Sequence, residues 1–220
     1  MSVINKENIS RRFEKPAEYF SGKRTDLIEI IPKECKTVLD VGCGQGEVWK
    51  NFSFQVSGIE INESAAQVAR KNLREVQCLD LEKGSPPSFK DSPFDCLVFA
   101  DVLEHLYDPW GVLLNFKSLL KKEGYVLLSV PNVRHYRVLR RLLFKGEFAY
   151  QESGVLDIDH VRFFTYKEMQ RMLQSTGFTV VSLKRRENSS FKYSFVNRLF
   201  FGALKDFLAE QYYILAQVNR

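Results

Sequence analysis

Short apolar runs alternate with stretches of helical periodicity along most of the chain. The apolar runs predict strands at 37–41, 54–61, 75–80, 94–101, 124–130, 178–184 and 211–218. Between them, apolar residues recur with the helical period and predict helices over 62–73, 110–121 and 166–176. Strands that alternate with helices in this way are typical of an α/β fold with a mostly parallel sheet, here of about seven strands.

Three details refine the predicted elements. The runs FDCLVFA and YVLLSV are almost continuously apolar, which indicates strands that are covered on both faces. The final run follows an amphipathic face at 196–208 after only a short connection, so we expect the last strand to run antiparallel. The last predicted helix before that face has Thr165 as a candidate N-cap, with Glu168 three residues later.

The composition is that of an ordinary globular protein rather than a disordered or membrane protein. The chain has 220 residues, with 32 basic and 27 acidic side chains and 45% apolar residues. No apolar run approaches the roughly 18–20 residues that cross a bilayer. The start, MSVINKENIS, lacks the basic-then-apolar order of an export signal. We therefore expect a single domain in the cytoplasm.

The cysteines give no sign of a metal site. Cys35, Cys43, Cys78 and Cys96 stand singly in or beside apolar stretches. They form no C-x-x-C pair and have no nearby histidine at the spacing of a zinc site. We expect buried, reduced thiols and no bound metal.

The net charge of +5 conceals two halves of opposite sign. Residues 1–110 carry 14 basic and 18 acidic side chains, whereas residues 111–220 carry 18 basic and 9 acidic ones. Any attraction for an anion therefore belongs to the second half of the chain. A solvated basic surface is the alternative explanation.

The most informative stretch is VLDVGCGQGEV (38–48), where the first predicted strand runs into Gly42, Gly44 and Gly46. A turn without Cβ atoms lets a ligand lie against the backbone at the carboxyl end of a strand. A helical segment is predicted to follow immediately. This arrangement indicates a site for a nucleoside cofactor.

Acidic neighbours argue against a dinucleotide or a nucleoside triphosphate. Glu47 occupies the position where the dinucleotide fingerprint has its third small residue, and Asp40 adds negative charge just before the turn. A cationic ligand with an ammonium group would instead be attracted to Asp40. The chain also lacks the G-x-x-x-x-G-K-[ST] loop of triphosphate hydrolases.

Acidic residues close four successive predicted strands: Asp40, Glu60, Asp80 and Asp101. Glu60 follows Asp40 by 20 residues, where a carboxylate can accept hydrogen bonds from ribose hydroxyls. Asp80 is placed to accept from an adenine amino group, while Leu81 lines the ring. One strand-end acid is usually a cap or a solvated loop residue, whereas a set of them behind a glycine turn favours a ligand site.

These segments resemble, in order and spacing, the class I S-adenosylmethionine-dependent methyltransferases. The resemblance rests on VLDVGCGQGEV, GIEINESAAQVA, CLDLEKG, FDCLVFADVLEHLYDP and LLKKEGYVLLSVPN, and covers 37–184. It implies a Rossmann-like doubly wound sheet with helices on both faces, S-adenosylmethionine as cofactor and S-adenosylhomocysteine as product. The domain would comprise an N-terminal helical cap (1–36), a cofactor-binding core (37–131), an acceptor-side insertion (132–165) and C-terminal helices and strands (166–220).

The resemblance also implies roles for individual residues. Asp40 and the glycine loop would hold the methionine moiety, Glu60 the ribose, and residues 101–104 would line the pocket near the sulfonium. Tyr19 and Arg24 are candidates for the carboxylate end of the cofactor, with a surface ion pair as the alternative for Arg24. The cofactor-binding candidates are Tyr19, Arg24, Asp40, Gly42, Cys43, Gly44, Gly46, Glu60, Ile61, Asp80, Leu81, Asp101, Val102 and Leu103.

Methyl transfer to an acceptor that carries a proton also requires a base. His160, in LDIDHVRFFT, is the preferred candidate because Asp157 and Asp159 lie close enough in sequence to orient it. His105, in DVLEHL, is a weaker candidate, because a role in shaping the loop explains it better. His135 gives no signal of its own.

The acceptor-side insertion begins with PNVRHYRVLRRLLFKG (131–146), which has five basic residues and no acidic one between 131 and 145. Arg134, Arg137 and Arg141 recur with helical spacing. Three interpretations remain open: solvated charges above a packed apolar face, an anion site for the acceptor, and contact with an acidic membrane surface or partner. Nucleic acid is a fourth, less favoured partner, because the chain has no RNA-binding module or long basic arm. Base methylation is disfavoured, because ADVLEH stands where nucleic-acid amino methyltransferases have an Asn/Asp-Pro-Pro-aromatic motif.

The insertion resembles those of methyltransferases that act on sugars and glycans. It also resembles methionine-biosynthesis protein W, whose methyltransferase-like fold serves as the partner of an acyltransferase. We therefore predict methyl transfer to a small molecule, at an oxygen of a sugar, a glycan precursor or another hydroxylated or anionic metabolite. A cofactor-binding partner protein without turnover is the alternative, and the oligomeric state stays open.

Overall fold

The protein is built on a seven-stranded sheet, in a computed structural model that describes residues 24–187 and 204–219. The strands are β1 (Thr37–Val41), β2 (Gln55–Glu60), β3 (Glu75–Cys78), β4 (Phe94–Ala100), β5 (Leu120–Pro131), β6 (Phe178–Glu187) and β7 (Ala209–Val218). Their order across the sheet is β3-β2-β1-β4-β5-β7-β6. β7 is antiparallel to both β5 and β6, and the other neighbouring strands are parallel. The prediction of a mostly parallel sheet with an antiparallel last strand is confirmed.

Helices connect the strands. The α-helices are α1 (Thr25–Ile28), α2 (Glu63–Ala69), α3 (Pro109–Phe116), α4 (Tyr136–Lys145), α5 (Tyr166–Ser175) and α6 (Lys205–Leu208). Short 3₁₀ helices occupy Glu47–Asn51, Leu103–His105 and Lys117–Leu119. The predicted cap of α5 is confirmed, since the backbone N–H of Glu168 donates to Oγ1 of Thr165 at 3.3 Å. Within the described residues, no helix is both long and apolar enough to cross a bilayer.

The core lies on both faces of the sheet. In β4, Leu97 and Phe99 belong to one hydrophobic cluster, whereas Cys96 and Val98 belong to another. Because the side chains of a strand alternate between its faces, β4 is covered on both sides. This confirms the interpretation of its continuous apolar run.

The boundary between α3 and β5 differs from the prediction. The helix predicted over 110–121 ends at Phe116 and is followed by a 3₁₀ turn, and β5 begins at Leu120 rather than at residue 124. The intervening KKE segment consists of good helix formers, which explains the longer predicted helix. Pairing of Leu120 with Phe94 instead draws this segment into the sheet.

The helical segment predicted after the glycine turn is only a 3₁₀ helix, Glu47–Asn51. One cysteine also differs from the prediction. All four thiols are free and Cys35, Cys43 and Cys96 are buried, but Cys78 is exposed. Cys78 ends β3, which is an edge strand of the described sheet.

Parts of the prediction fall on residues that the structure does not describe. Of the helical cap predicted for 1–36, only the part from Arg24 is described, including α1. The amphipathic face at 196–208 is described only from residue 204. Tyr19 lies outside the described residues.

Candidate active site

A cavity of about 1020 Å³ opens at the carboxyl ends of the central parallel strands. Its lining includes Asp40 from β1, Glu60 from β2 and Asp101, which follows β4. β1 and β4 are neighbours in the sheet, although β2 and β3 lie between them in the sequence. The cavity therefore lies at the topological switch point, where open α/β sheets bind their ligands.

The glycine turn after β1 is anchored to β2 and packs against the residues that follow β4. The backbone N–H groups of Gly42 and Cys43 donate to the carbonyl oxygen of Ile59 at 2.8 and 2.9 Å. Gly42 has a φ of +78°, and a Cβ atom added to it would lie 2.6 Å from Cγ2 of Val102. A side chain here would have to displace Val102, so the turn keeps its backbone open to the cavity only as glycine.

Glu60 is held in place by two backbone donors. The N–H of Gly44 donates to one carboxylate oxygen at 2.8 Å, and the N–H of Asn62 donates to the other at 2.9 Å. The residue is only 5% exposed. Each carboxylate oxygen can accept a further hydrogen bond, so this fixed group suits a pair of neighbouring ribose hydroxyls.

Asp40 is a buried acid that a positive ligand would stabilise. Its Oδ2 accepts a hydrogen bond of 2.7 Å from Nε1 of Trp49. Burial raises the pKa of Asp40 to about 7, the hydrogen bond from Trp49 opposes that rise, and the charge of Glu60 adds to it. An ammonium group in the cavity would favour the ionised form of Asp40.

The next part of the lining combines an acid with apolar surface. Asp80 accepts a hydrogen bond of 3.1 Å from the N–H of Glu82 and lies 3.0 Å from Nζ of Lys83. Ile61 and Leu81 line the cavity together with Asp80. A flat heterocycle with an amino group matches this combination.

Asp101 joins the end of β4 to β5, β7 and the start of α1. It has a φ of +55° and accepts hydrogen bonds from Oγ of Ser129, at 2.8 Å, and from the side-chain amide of Gln211. Its second oxygen forms an ion pair with Arg24, which also donates to Oγ of Ser129 at 3.1 Å. The ion pair with Asp101 therefore holds Arg24 at the wall of the cavity, which Asp101 also lines.

Glu104, His105 and His160 form a polar cluster in the same cavity. The potential ligand atoms of these three side chains all lie within 4.8 Å of one another. Nδ1 of His105 donates to the carbonyl oxygen of Asp159, and Nδ1 of His160 donates to that of Val155, both at 3.1 Å. A carbonyl only accepts, so each neutral ring carries its proton on Nδ1 and its lone pair on Nε2.

Burial changes the acid–base properties of this cluster. Glu104 is 1% exposed, and neither of its carboxylate oxygens has a hydrogen-bond partner among the described residues. Burial raises the pKa of Glu104 to about 8 and, together with the charge of His160, lowers the pKa of His105 to about 4. His105 is consequently neutral at physiological pH.

Arginines line another part of the cavity wall. Arg134 shares helical spacing with Arg137 and Arg141 in the sequence, but it does not line the cavity. It lies against α6, where its guanidinium is 3.6 Å from Asp206 and 4.7 Å from the ring centre of Phe207. The arginines of α4 and β6 that do line it are Arg137, Arg140, Arg141 and Arg186.

Comparison with protein families identifies the family of this chain. A family model described as a methyltransferase domain (Methyltransf_23) matches residues 7–183, which is more than half of the chain. The chain belongs to this methyltransferase family. The cofactor of the methyltransferase is S-adenosylmethionine.

Two curated relatives of the methyltransferase are named O-methyltransferases. It is 30% identical over 159 residues to the ubiquinone biosynthesis O-methyltransferase of Thiobacillus denitrificans, covering 69% of this chain and 68% of that protein. It is 27% identical over 213 residues to the protein of the same name from Chromobacterium violaceum, covering 90% of this chain and 85% of that protein.

Solved structures show the same fold. The crystal structure of a SAM-dependent methyltransferase from Archaeoglobus fulgidus matches with a TM-score of 0.64 at 20% identity, covering 96% of this chain and 98% of that one. The predicted Rossmann-like architecture of the methyltransferase is thereby confirmed.

Most of the predicted cofactor-binding residues meet at the cavity. Leu103 and Gly46 do not line it, which corrects the expectation for both: Leu103 is buried in a hydrophobic cluster, and Leu73 fills the space beside Gly46. Tyr19 is not described. The predicted residues that line the cavity are Arg24, Asp40, Gly42, Cys43, Gly44, Glu60, Ile61, Asp80, Leu81, Asp101 and Val102.

Glu104 is covered by the predictions only within the range 101–104, and neither Arg140 nor Arg186 carries a prediction of its own. The sequence predicts metal ligands only from cysteines and their histidine spacing, so it does not pair Glu104 with His105. That adjacent acid and histidine at a strand end is the signal that could have been used. Arg186 lies at the end of β6, far along the chain from the insertion, and carries no such signal.

Proposed function

We propose that the methyltransferase transfers the methyl group of S-adenosylmethionine to a hydroxyl oxygen of a small anionic molecule. One observation carries the proposal: a single cavity is lined by the acids Asp40, Glu60 and Asp80 and also by the arginines of α4 and β6. The acids suit a donor with a positive sulfonium and ammonium. The arginines suit a carboxylate or phosphate on the acceptor.

Oxygen is the proposed acceptor atom. The curated relatives from Thiobacillus denitrificans and Chromobacterium violaceum are both named O-methyltransferases, which supports this choice. The histidine cluster supports it too, because a hydroxyl must lose its proton to become a good nucleophile.

The reaction is an in-line displacement. The acceptor oxygen forms a bond to the methyl carbon while the carbon–sulfur bond breaks, and the electron pair of that bond remains on sulfur as a neutral thioether. Because the sulfonium is already activated, the enzyme mainly aligns donor and acceptor, which is worth on the order of 7–11 kcal/mol.

His160 is the proposed base in the protein without a bound metal ion. Its Nδ1 is committed to the carbonyl of Val155, so the hydroxyl proton would go to Nε2. His105 is less suited, because a ring with a pKa of about 4 holds a proton too weakly near neutral pH.

Paired acceptors test the proposal. Release of S-adenosylhomocysteine would be measured with 3,4-dihydroxybenzoate against catechol, and with a hexose phosphate against the free hexose. We expect turnover with at least one charged member and a KM at least about tenfold lower than for its neutral counterpart, which corresponds to about 1.4 kcal/mol. Equal activity within both pairs, or cofactor binding without turnover on any of them, would contradict the proposal.

Arg140→Ala tests the arginine wall directly. We expect it to raise the KM for the charged acceptor by about tenfold while leaving the KM for the neutral one unchanged. Lys145→Ala is the matched control, because Lys145 lies on the same helix but does not line the cavity. The same effect from both substitutions would indicate a general change in surface charge instead of an acceptor contact.

A further inference from the structure

The cluster of Glu104, His105 and His160 has the composition of a metal site. We propose that these three side chains bind one divalent transition-metal cation. Two imidazoles and one carboxylate form a set that holds such ions on one face and leaves other coordination positions open. This inference goes beyond the proposed function, since binding of the cation needs neither cofactor nor acceptor.

The distances allow all three groups to reach one ion. Their ligand atoms lie within 4.8 Å of one another. Bonds of roughly 2.0–2.2 Å place donors that share one face of an ion about 3.0–3.5 Å apart. Side-chain movements on the order of 1 Å would therefore close the site around a cation.

The histidines are already oriented as ligands. Metal-bound histidines almost always donate their second ring N–H to a carbonyl or carboxylate, which fixes the ring and its tautomer. His105 and His160 each donate from Nδ1 to a backbone carbonyl at 3.1 Å, so their lone pairs are on Nε2.

The backbone brings the two parts of the site together. The N–H groups of Val161 and Arg162 donate to the carbonyl oxygen of Glu104 at 2.9 and 3.0 Å. These bonds dock the segment that carries His160 onto the 3₁₀ helix that carries Glu104 and His105. The arrangement is therefore fixed by main-chain contacts before any ion binds.

The surroundings of Glu104 also favour a cation at this cluster. A carboxylate that is 1% exposed, with neither oxygen hydrogen-bonded within the described residues, is a costly group to retain. Asp157, which is 2% exposed, adds negative charge nearby, while Arg24 is the positive group that acts on Glu104. A divalent cation would supply both the counter-charge and the ligand bonds that Glu104 lacks.

The cation would change the part that His160 plays. A ring nitrogen that is bound to a metal does not accept a proton, so His160 becomes a ligand in the loaded enzyme. The cation itself then lowers the pKa of an acceptor hydroxyl that binds to it, and the proton leaves to water. Only the destination of the proton would differ between the two states, because the methyl carbon would pass from sulfur to oxygen in the same way.

Manganese binding tests the proposal on the full chain. After treatment with EDTA and buffer exchange, Mn²⁺ would be titrated and the free ion followed by electron paramagnetic resonance. We expect one Mn²⁺ per chain, with nitrogen couplings from imidazole in the pulsed spectrum. Glu104→Gln should weaken binding at least tenfold, and His160→Gln should remove part of the nitrogen coupling.

Glu47→Gln is the matched control, because Glu47 also lines the cavity but lies outside the cluster. It should leave Mn²⁺ affinity unchanged. The proposal is overturned if Mn²⁺ does not saturate a site, if bound Mn²⁺ shows no imidazole nitrogen, or if Glu104→Gln binds as tightly as the unaltered protein. The nitrogen couplings are measured on the unaltered protein, so they decide the matter even if a variant fails to fold. Since neither acceptor nor cofactor is present, the result is independent of the proposed methyl transfer.

Discussion

Asp40 and Glu60 end neighbouring strands, and the structure stabilises their carboxylates in different ways. Glu60 accepts two backbone hydrogen bonds, which fix it as a rigid acceptor. Asp40 accepts its hydrogen bond from Trp49 and has its pKa raised to about 7 by burial. The charge of Asp40 therefore depends on whether a positive ligand occupies the cavity.

The raised pKa of Asp40 predicts a specific pH dependence of stability. The pKa of about 7 in the folded protein lies above the ordinary value of 3.8, so between these pH values the folded protein retains a proton that the unfolded chain has lost. The contribution of Asp40 to the free energy of unfolding is therefore largest below pH 3.8 and declines as the pH rises toward 7. The slope should approach about 1.4 kcal/mol per pH unit.

Urea unfolding of the cofactor-free protein at several pH values measures this contribution. Asp40→Asn should remove the part of the decline that Asp40 contributes, because an amide does not titrate. The difference in free energy of unfolding between the two proteins should therefore change between pH 4 and pH 7. A difference that stays constant from pH 4 to pH 7 would show that Asp40 keeps an ordinary pKa.

At the scale of elements, the turn between β1 and the following 3₁₀ helix depends on one tight contact. Gly42 takes up a positive φ and lies against Val102, which follows β4. The turn thus joins two strands that are adjacent in the sheet but distant in the sequence. The sequence shows the spacing of the glycines, but it does not show that contact with Val102 requires a glycine at position 42.

Gly42→Ala should destabilise the protein and weaken cofactor binding. Gly84→Ala is a matched control, because Gly84 also has a positive φ, of +87°, but has no atom within 4 Å of an added Cβ. Both alanines carry the strain of a positive φ, so the clash with Val102 should cost Gly42→Ala roughly a further 1–3 kcal/mol in urea unfolding.

A second substitution identifies the cause of that loss. Val102→Ala in the Gly42→Ala background should restore part of the stability, since it removes the atom nearest to the new Cβ. Equal losses for Gly42→Ala and Gly84→Ala, with no recovery in the double variant, would contradict the proposed contact.

The limits of prediction at this scale follow from which interactions are local. The acids at strand ends and the cap at Thr165 depend on neighbouring residues, so the sequence pattern was sufficient to find them. The end of α3, by contrast, is decided by the pairing of Leu120 with Phe94 against local helix propensity. Leu103 is similar, because a 3₁₀ turn directs it into the core although the adjacent Val102 lines the cavity.

At the scale of the whole molecule, the opposite charges of the two halves of the chain meet in one cavity. The acidic strand ends come from the first half, and the arginines of α4 and β6 come from the second. The charge counts predicted this division, but not that both sets line the same cavity. The sequence also did not predict that His105 and His160 lie together. Their ring centroids are 4.8 Å apart because backbone hydrogen bonds dock the insertion onto Glu104.

The central claim is that the acid-lined part of the cavity holds a cationic adenosyl donor and excludes phosphate-bearing nucleotides. Calorimetric titration of the protein with S-adenosylmethionine, NAD⁺ and ATP tests it most directly. We expect one S-adenosylmethionine per chain, no competition from the other two, and a loss of about 1–3 kcal/mol of binding free energy in Glu60→Ala. Glu63→Ala, on the exposed face of α2, should leave binding unchanged. Tighter binding of NAD⁺ or ATP than of S-adenosylmethionine, or unchanged affinity in Glu60→Ala, would contradict the account.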